Sequence, residues 1–585
     1  MTPPAHRHVL IGGRPRLLLG GQLHNSTSSD LDRARAAFDR VVAMGGNAVT
    51  ATVSWHLVEP VEGSYDFSGV DPLVDMARER GLALTLLWFG AFKNAASTYA
   101  PRWVRADAER FPRADLGGAG GAGGGAFSRP GTPVLSVFAP ALLDADRRAF
   151  AELTRHLAEV DGASTVVMVQ VENETGLLGA ARDHSAPARA AWEAEVPAAL
   201  LDRLAECSDA VGRPGAAGAA GAAGTVGADG AVGTVGADDA AGAVGTAGMI
   251  DEPGSGDRPG AGGTAGRLWR ERDRRARGTW AEVFGEDEWA QEVFMAWGFA
   301  SYCGALAAAG ARHLDVPFYV NAWLGPQPGQ DLPGRYPSGG PVAGVVDVWK
   351  AAAPALALLG PDIYVDDVKA AVAGYVREDN ALLVPESRPA AGNLLWAVGC
   401  GAIGFNVFGV DDVRADGRLA AAYRLLAGAE EVIIAAQRSG RIRPVLLEAG
   451  QTAVVGLGGL TWTLRGSGEV LRSMFLDAGV QVRTEAGAGE PETTDEALVA
   501  APADTRAMAV LVDLGDDELL AIGQGLMFEV AGVPGEVVEI DDAVEGRYEA
   551  GVWVSGRNLN GDERLNLLPL DRPAAVRIRV LRRRG

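Results

Sequence analysis

The sequence predicts a (β/α)8 barrel, a TIM barrel, followed by a smaller all-β, sandwich-like domain. Three observations predict it. Eight short apolar runs, each followed by a helical stretch or a long loop, recur through residues 1–438. The runs are apolar throughout, as in parallel strands covered on both faces. After Ser439 the texture changes to strands separated by Gly, Asp and Pro turns, the pattern of a separate all-β domain over residues 439–585. Eight strand–helix units close most simply into a barrel. A doubly wound open sheet is the alternative, but no glycine-rich nucleotide fingerprint follows the first strand.

The opening HVLIGGRPRLLLGGQLHN reads as a hairpin turning at Gly12-Gly13, then a first buried strand through residues 17–19. SSDLDRARAAFDRVVAMGG has helical spacing, Ser29 as N-cap and Gly45-Gly46 as its stop. NAVTATVSW is the second strand, VDPLVDMARERG a helix and GLALTLLWFG the third strand. A helix around residues 140–160 precedes the fourth strand, VVMVQVENE. VPFYVNAWLG, PDIYVDD, ALLVPES and GAIGFNVFG complete the eight. Two stretches interrupt the rhythm. Residues 116–126 form a glycine-rich loop. Residues 211–266 are Gly/Ala/Val/Asp-rich without aromatics. Such a segment buries too little surface to offset its chain entropy, so it is expected to be a loosely ordered insertion after strand four.

Hydrophobic residues make up 48% of the 585, enough for a large core, and the formal charge is -22. That field repels nucleic acid and anionic membranes, so neither is an expected partner. Cys207, Cys303 and Cys400 are far apart and fit neither a disulfide framework nor a zinc spacing. The N-terminus lacks the continuous apolar run of a signal peptide, which makes a cytoplasmic setting the expectation. No apolar run reaches the ~18 residues of a membrane span.

In such a barrel the chemistry sits at the C-terminal ends of the strands. Those ends carry Gln22, His24 and Asn25 (strand one), Trp55, His56 and Glu59 (two), Trp88, Lys93 and Asn94 (three), and Glu172, Asn173 and Glu174 (four). Asn321 and Trp323 follow on strand five, Tyr364, Asp366 and Asp367 on six, Glu386, Ser387 and Arg388 on seven, and Asn406, Asp411 and Asp412 on eight. Histidine clusters with metal-ligand spacing and a serine-nucleophile elbow are both missing from the sequence, so neither a metal nor another cofactor is expected. Carboxylates, amides and tryptophans together suit a sugar pocket. Amides and acids bond hydroxyls, and indole faces stack on pyranose rings. Glu174 and Glu386 are the expected catalytic pair: one protonates the leaving oxygen while the other attacks the anomeric carbon. Asn173 is placed to bond the sugar 2-hydroxyl. Arg388, turned inward, would keep Glu386 ionised. Glu172 is the rival of Glu174, since strand alternation puts both on one side. His24, Asn25, Trp55, Glu59, Trp88, Lys93, Asn94, Asn321, Trp323 and Tyr364 complete the expected substrate-binding set.

The chain resembles the β-galactosidases of glycoside hydrolase family 35, in the clan of (β/α)8 retaining hydrolases. GGQLHNS is similar to the family's start, WHLVEPVEGSYDFSG looks like its second-strand block, and VQVENETG matches its acid/base block. The resemblance implies Glu174 as acid/base, Asn173 as its 2-hydroxyl-binding neighbour and, from the clan pattern, Glu386 as nucleophile. GVWVSGRNLNGDER looks like the β-rich tail of a bacterial branch carrying a domain of unknown function. The sequence departs from the family where Gln22 stands for a Glu and Thr52 for a Tyr. LWFGAFKNAAS stands where a sugar-contacting Glu is usual, and VPESRP surrounds Glu386. The expectation is a retaining exo-β-glycosidase, β-galactosidase first, acting on a small oligosaccharide or β-glycoside. The alternatives are another glycone (uronide, arabinoside, fucoside) or a non-catalytic carbohydrate-binding barrel. A homo-oligomer is compatible with this reading.

Overall fold

A computed structural model describes residues 8–117, 134–162, 164–212, 262–477, 490–494 and 501–584. Eight parallel strands close a barrel: β1 Leu18–Gln22, β2 Ala48–Ser54, β3 Ala83–Lys93, β4 Val166–Asn173, β5 Phe318–Trp323, β6 Leu358–Ile363, β7 and β8 Gly404–Phe408. β7 consists of two short pieces. Leu383–Val384 pairs with β8 and Glu386–Ser387 with β6, and β8 pairs with β1 to close the ring. Pro385 separates the pieces because it has no N–H for the ladder. Its ring fills the space over Gly360, where a Cβ would lie 2.5 Å from Pro385 Cγ. That bend delivers Glu386 to the barrel mouth.

One helix per strand covers the outside: α1 Leu31–Met44, α2 Asp71–Arg80, α3 Pro140–Val160, α4 Glu288–Gly310, α5 Val346–Ala352, α6 Val368–Ala373, α7 Ala391–Gly399 and α8 Arg418–Gly428. The strands are apolar on both faces because they serve two cores. Leu17, Leu19, Val49, Leu84, Leu86 and Val169 face the helices. Leu18, Ala48, Ala83, Met168, Tyr319, Leu358 and Leu383 fill the floor of the lumen. Val9, from the hairpin Val9–Ile11/Arg14–Arg16, packs into that floor and plugs the barrel's lower end. The cap of α1 is Asp30 rather than the expected Ser29: its carboxylate accepts from the amides of Asp32 and Arg33. α4 is long and apolar enough to cross a membrane by composition, contrary to the sequence expectation, but it is a core helix largely buried in the fold.

Of the glycine-rich loop, residues 118–126 lie outside the described residues, as do residues 213–261 of the insertion. The insertion's flanks are helical, Ala198–Gly212 and Gly263–Glu271.

The C-terminal part is a β-sandwich. Its six-stranded sheet runs β9 Ile442–Leu447, β12 Ala507–Gly515, β13 Glu518–Gln524, β17 Ala574–Arg584, β15 Glu536–Glu549 and β16 Val552–Asn558. Its three-stranded sheet is β10 Thr452–Leu457, β11 Leu460–Gly466 and β14 Leu526–Ala531. Trp462, Leu464, Leu511, Val576 and Ile578 fill the space between the sheets. The outer face of the larger sheet, with Met508, Val510, Val512 and Ile522, joins the barrel's own core. Asp504 ties the two parts together by accepting from the Gly392 amide on α7 at 2.8 Å.

Candidate active site

The tip of β4 carries the opening feature of the site. Glu172 and Glu174 both have left-handed backbones, φ +60° and +45°. Non-glycine residues adopt that region at a cost that surrounding contacts must overcome. Here the contacts are explicit. Trp88 pairs with Val171 and Lys93 with Asn173, so residues 89–92 of β3 stand opposite Glu172 alone. The Glu172 carboxyl fills this bulge. It accepts from the amides of Gly90 (3.2 Å), Ala91 (3.0 Å) and Phe92 (2.8 Å). Behind it lies Asp146 of α3, held by Trp88 Nε1 at 2.9 Å and Tyr302 OH at 2.8 Å. Burial, then the Asp146 charge, pushes Glu172 well above the usual carboxyl range. Strand alternation therefore fails at the tip: Glu172 is buried in the wall, and the consecutive residues Asn173 and Glu174 reach the mouth.

Three carboxyls meet there. Oxygens of Glu174, Asp362 and Glu386 all lie within 4.8 Å of one another. Glu386 is held as an acceptor by Gln22 Nε2 (2.7 Å), Asn173 Nδ2 (3.1 Å) and Tyr364 OH (2.7 Å). Three donors aimed at one carboxylate fix its direction. Glu174 is 6% exposed. Burial first, and the neighbouring Glu386 charge second, raise its pKa to about 8, against the pull of Lys93 and a hydrogen bond with Asp362. Asn321 links two of the acids: its Oδ1 accepts from the Glu174 amide at 2.9 Å and its Nδ2 donates to Asp362 Oδ2 at 2.7 Å. The three acids could also surround a cation. Three donors from the protein already point at Glu386 and orient its carboxyl.

Other expected residues divide into two groups. Asn173, Asn321 and Tyr364 touch the carboxyl cluster, and Lys93, beside Asn173 in register, adds a positive charge near Glu174 and Asp362. Asn94 accepts from the Lys93 ammonium, and its amide donates to the Asn173 carbonyl. His24 lies at the rim, bonded to Asp412 at 2.8 Å and edge-on to Phe408. Asn25 lines a groove of about 540 Å³ with Thr52, Ser54, His56 and Tyr99. Trp323, half-buried, donates to Gln330 at 3.1 Å.

The second group requires correction. Trp55 is fully buried and donates its indole N–H to Glu59 at 2.8 Å, while Glu59 also accepts from the Gly63 amide. Both brace the loop after β2 instead of facing a ligand. Trp88 points outward to Asp146 and Phe150. Arg388 turns to solvent and pairs with Asp366 at 2.9 Å and with the Tyr364 carbonyl. It does not reach Glu386. Two residues belong to the cluster that the expected set lacked, Gln22 and Asp362. Alternation carries the signal for both: Leu18 and Leu358 face the lumen floor, so Gln22 and Asp362, four residues on, share that side.

Two family models match parts of the chain. Residues 8–109 match the family model described as Glycosyl hydrolases family 35, and residues 419–568 match a Domain of unknown function (DUF5597). No curated protein matches the chain. Among solved structures, a β-galactosidase from Rahnella sp. R3 is similar at 13% identity and TM-score 0.40, covering 73% of this chain and 58% of its own. The catalytic domain of a β-amylase from Paenibacillus polymyxa gives 14% identity and 0.39, covering 68% and 94%. A β-galactosidase from Marinomonas ef1 gives 12% and 0.39, covering 72% and 60%. The chain thus spans less than two thirds of the length of either β-galactosidase. Family 35 is thus matched across the first three barrel strands, and DUF5597 from α8 through most of the sandwich.

Proposed function

We propose that this protein is a retaining exo-β-glycosidase, with terminal β-galactosyl residues of small oligosaccharides as its first substrate class. One observation carries the reading: Glu174 and Glu386, on β4 and β7, have carboxylate oxygens within 4.8 Å of each other. Retaining enzymes hold their carboxyls ~5–5.5 Å apart, whereas inverting ones leave ~6.5–9.5 Å for a water. Glu174, with its pKa raised to about 8, keeps its proton at neutral pH and serves as the acid. Glu386, held by Gln22, Asn173 and Tyr364, attacks the anomeric carbon and forms the glycosyl ester. Glu174, now ionised, takes a proton from the water that releases the sugar. The Asn173 amide, already at the nucleophile, is placed for the 2-hydroxyl. Lys93 near the acids favours a second glycone, a uronide, whose carboxylate it would receive.

The test is hydrolysis of aryl β-glycosides (galactoside, glucoside, fucoside, arabinoside, glucuronide) by wild type and Glu386→Gln. Galactoside turnover that falls at least ~10³-fold in the variant, about 4 kcal/mol of transition-state stabilisation, supports the reading. Turnover of the glucuronide in its place transfers the specificity to the uronide. Inverted product configuration, or full activity in the variant, refutes the mechanism.

A further inference from the structure

A groove of about 540 Å³ opens at the barrel rim, between the loops that follow β1 and β2. The double displacement at the carboxyl cluster does not use it. Its size falls in the ~300–1,000 Å³ range of pockets that take small ligands. Thr52 and Ser54 of β2 lie in its wall. Ala48 fills the lumen floor, so alternation puts Thr50, Thr52 and Ser54 on the lumen side of the strand. Thr50 is in register with Gln22, which donates to Glu386 at 2.7 Å. The groove therefore begins one alternation step up β2 from the level that holds Glu386. Tyr99 lines it as well. The Tyr99 ring packs on Phe89 at 4.7 Å, and the Lys93 ammonium lies 5.3 Å from the centre of the Phe89 ring. Groove-lining residues thus connect to the carboxyl cluster along both β2 and β3.

The walls are fixed before any ligand arrives. Thr52 ties the loop after β1 to β2: its amide donates to Ser28 Oγ at 2.9 Å and its hydroxyl to the Asn25 carbonyl at 3.1 Å. Asp411, after β8, holds the same loop by accepting from Thr27 Oγ1 at 2.7 Å and from the His24 amide at 2.9 Å. Inside this frame Asn25 Oδ1 is enclosed without a hydrogen-bond partner, as are Thr50 Oγ1 and Gln22 Oε1 nearer the cluster. Buried polar atoms in folded proteins normally have one, and ligand hydroxyls can supply it.

The lining also selects the ligand's charge. Among the described residues it includes Asp66 as its one carboxylate and neither Lys nor Arg, so a phosphate or carboxylate finds no cation in the groove. Burial holds the His56 imidazole below its ordinary pKa, which keeps that ring neutral. The His56 and Tyr99 rings meet at 5.6 Å. Hydroxyls and an amide bond the hydroxyls of a sugar, and ring faces cover its C–H surface.

We propose that this groove binds a second pyranose ring of the oligosaccharide, next to the ring that reacts. The turnover arm of the test rests on the glycosidase reading, and the binding arm does not.

The test is Gly69→Phe. Gly69 lines the groove, its backbone lies outside the left-handed region, and a Cβ there meets nothing within 4 Å. A phenyl group therefore fills the groove without displacing its wall. In the turnover arm, kcat/KM is measured on the one-ring nitrophenyl glycoside that turns over, on nitrophenyl β-lactoside and β-cellobioside, and on free lactose and cellobiose. Gly69→Phe should lower it at least ~10-fold for a two-ring substrate, the worth of a hydrogen bond plus a ring contact. The one-ring value should stay within about twofold of wild type, which a general loss of structure would not allow. A fall on a nitrophenyl disaccharide puts the second ring on the glycone. A fall on a free disaccharide puts it on the leaving side. Equal losses on one-ring and two-ring substrates, or no loss on any two-ring substrate, overturn the proposal. In the binding arm, saturation-transfer NMR follows lactose and cellobiose on Glu386→Gln with and without Gly69→Phe. Binding that Gly69→Phe abolishes supports the groove even if no glycoside is hydrolysed, so the two readings fail separately. Binding that it leaves unchanged, or no binding to Glu386→Gln, overturns the proposal. If Gly69→Phe does not fold, Asn25→Ala should weaken the same disaccharide by ~3-fold or more, and unchanged affinity there overturns it equally.

Discussion

Glu172 and Glu174 are two residues apart, and replacing each by Gln should give opposite phenotypes. The Glu172 carboxyl accepts from three backbone amides, two on Oε2 and one on Oε1, at 2.8–3.2 Å. A glutamine retains one oxygen. If that oxygen replaces Oε2, the new NH2 group faces the Ala91 N–H donor to donor, and that amide keeps only its 3.0 Å bond to Asp146 Oδ2. Losing one buried hydrogen bond and setting two donors against each other costs about 1–3 kcal/mol, a large share of the ~5–15 kcal/mol that holds a typical domain. Glu172→Gln should therefore lower the denaturant midpoint while the folded fraction keeps substantial turnover. Glu174→Gln should leave the midpoint unchanged or raise it, since it removes an acid from a crowded cluster, and should abolish turnover of substrates with poor leaving groups. Urea unfolding followed by fluorescence, together with kcat per folded molecule, measures both. A Glu172→Gln enzyme of wild-type stability and no activity would refute the argument. It would mean that Glu172, not Glu174, reaches the reacting atoms.

Two further outcomes follow from groups outside the cluster. Glu292 on α4 is 1% exposed, and burial raises its pKa to about 7. The native chain then keeps a proton there that the unfolded chain loses near pH ~4.3. Between those values the native state binds more protons, so stability falls as pH rises, by about 4 kcal/mol in total for this group. Glu292→Gln should flatten the fall in unfolding free energy between about pH 5 and 7, and an unchanged slope would contradict the assignment. Trp55→Phe removes the donor to buried Glu59 Oε2 and should cost about 1–3 kcal/mol of stability, with KM for the aryl glycoside unchanged. A raised KM with unaltered stability would return Trp55 to the sugar pocket.

The fold was legible because the signals behind it are local and repeated. Each barrel strand is apolar on two faces since one meets helices and the other meets the lumen floor, and this reads directly as an unbroken apolar run. The helix Pro140–Val160 was predicted with the bounds it has, because its apolar spacing is long and begins at a proline suited to a first turn. The α1 cap was missed by one residue since Ser29 and Asp30 are both competent caps and sequence alone does not choose between them. The split of β7 was not predicted, although Pro385 announces it: a proline inside a strand breaks the ladder, and here the break aims the following residue inward.

The site was legible wherever chemistry and strand position agree, and illegible wherever the backbone departs from alternation. Glu386 and Asn173 follow from their place at strand ends. Trp55 and Trp88 occupy similar places, yet their indoles serve buried carboxylates. An indole N–H satisfies a buried acid as well as its ring face serves a sugar, and composition does not distinguish the two uses. The decisive event is the bulge of β3 around Glu172. It consumes the first acid of the Glu-Asn-Glu triplet as wall, and the left-handed turns at Glu172 and Glu174 then bring an amide and an acid to the mouth side by side. A regular strand would present Glu172 and Glu174 on one face and Asn173 on the other. The asparagine would then lose its 3.1 Å contact with Glu386, and Glu174 would lose the neighbour that orients that carboxylate. The buried acid pair behind the strand is therefore part of how the site is built, although neither Glu172 nor Asp146 touches the carboxyls at the mouth.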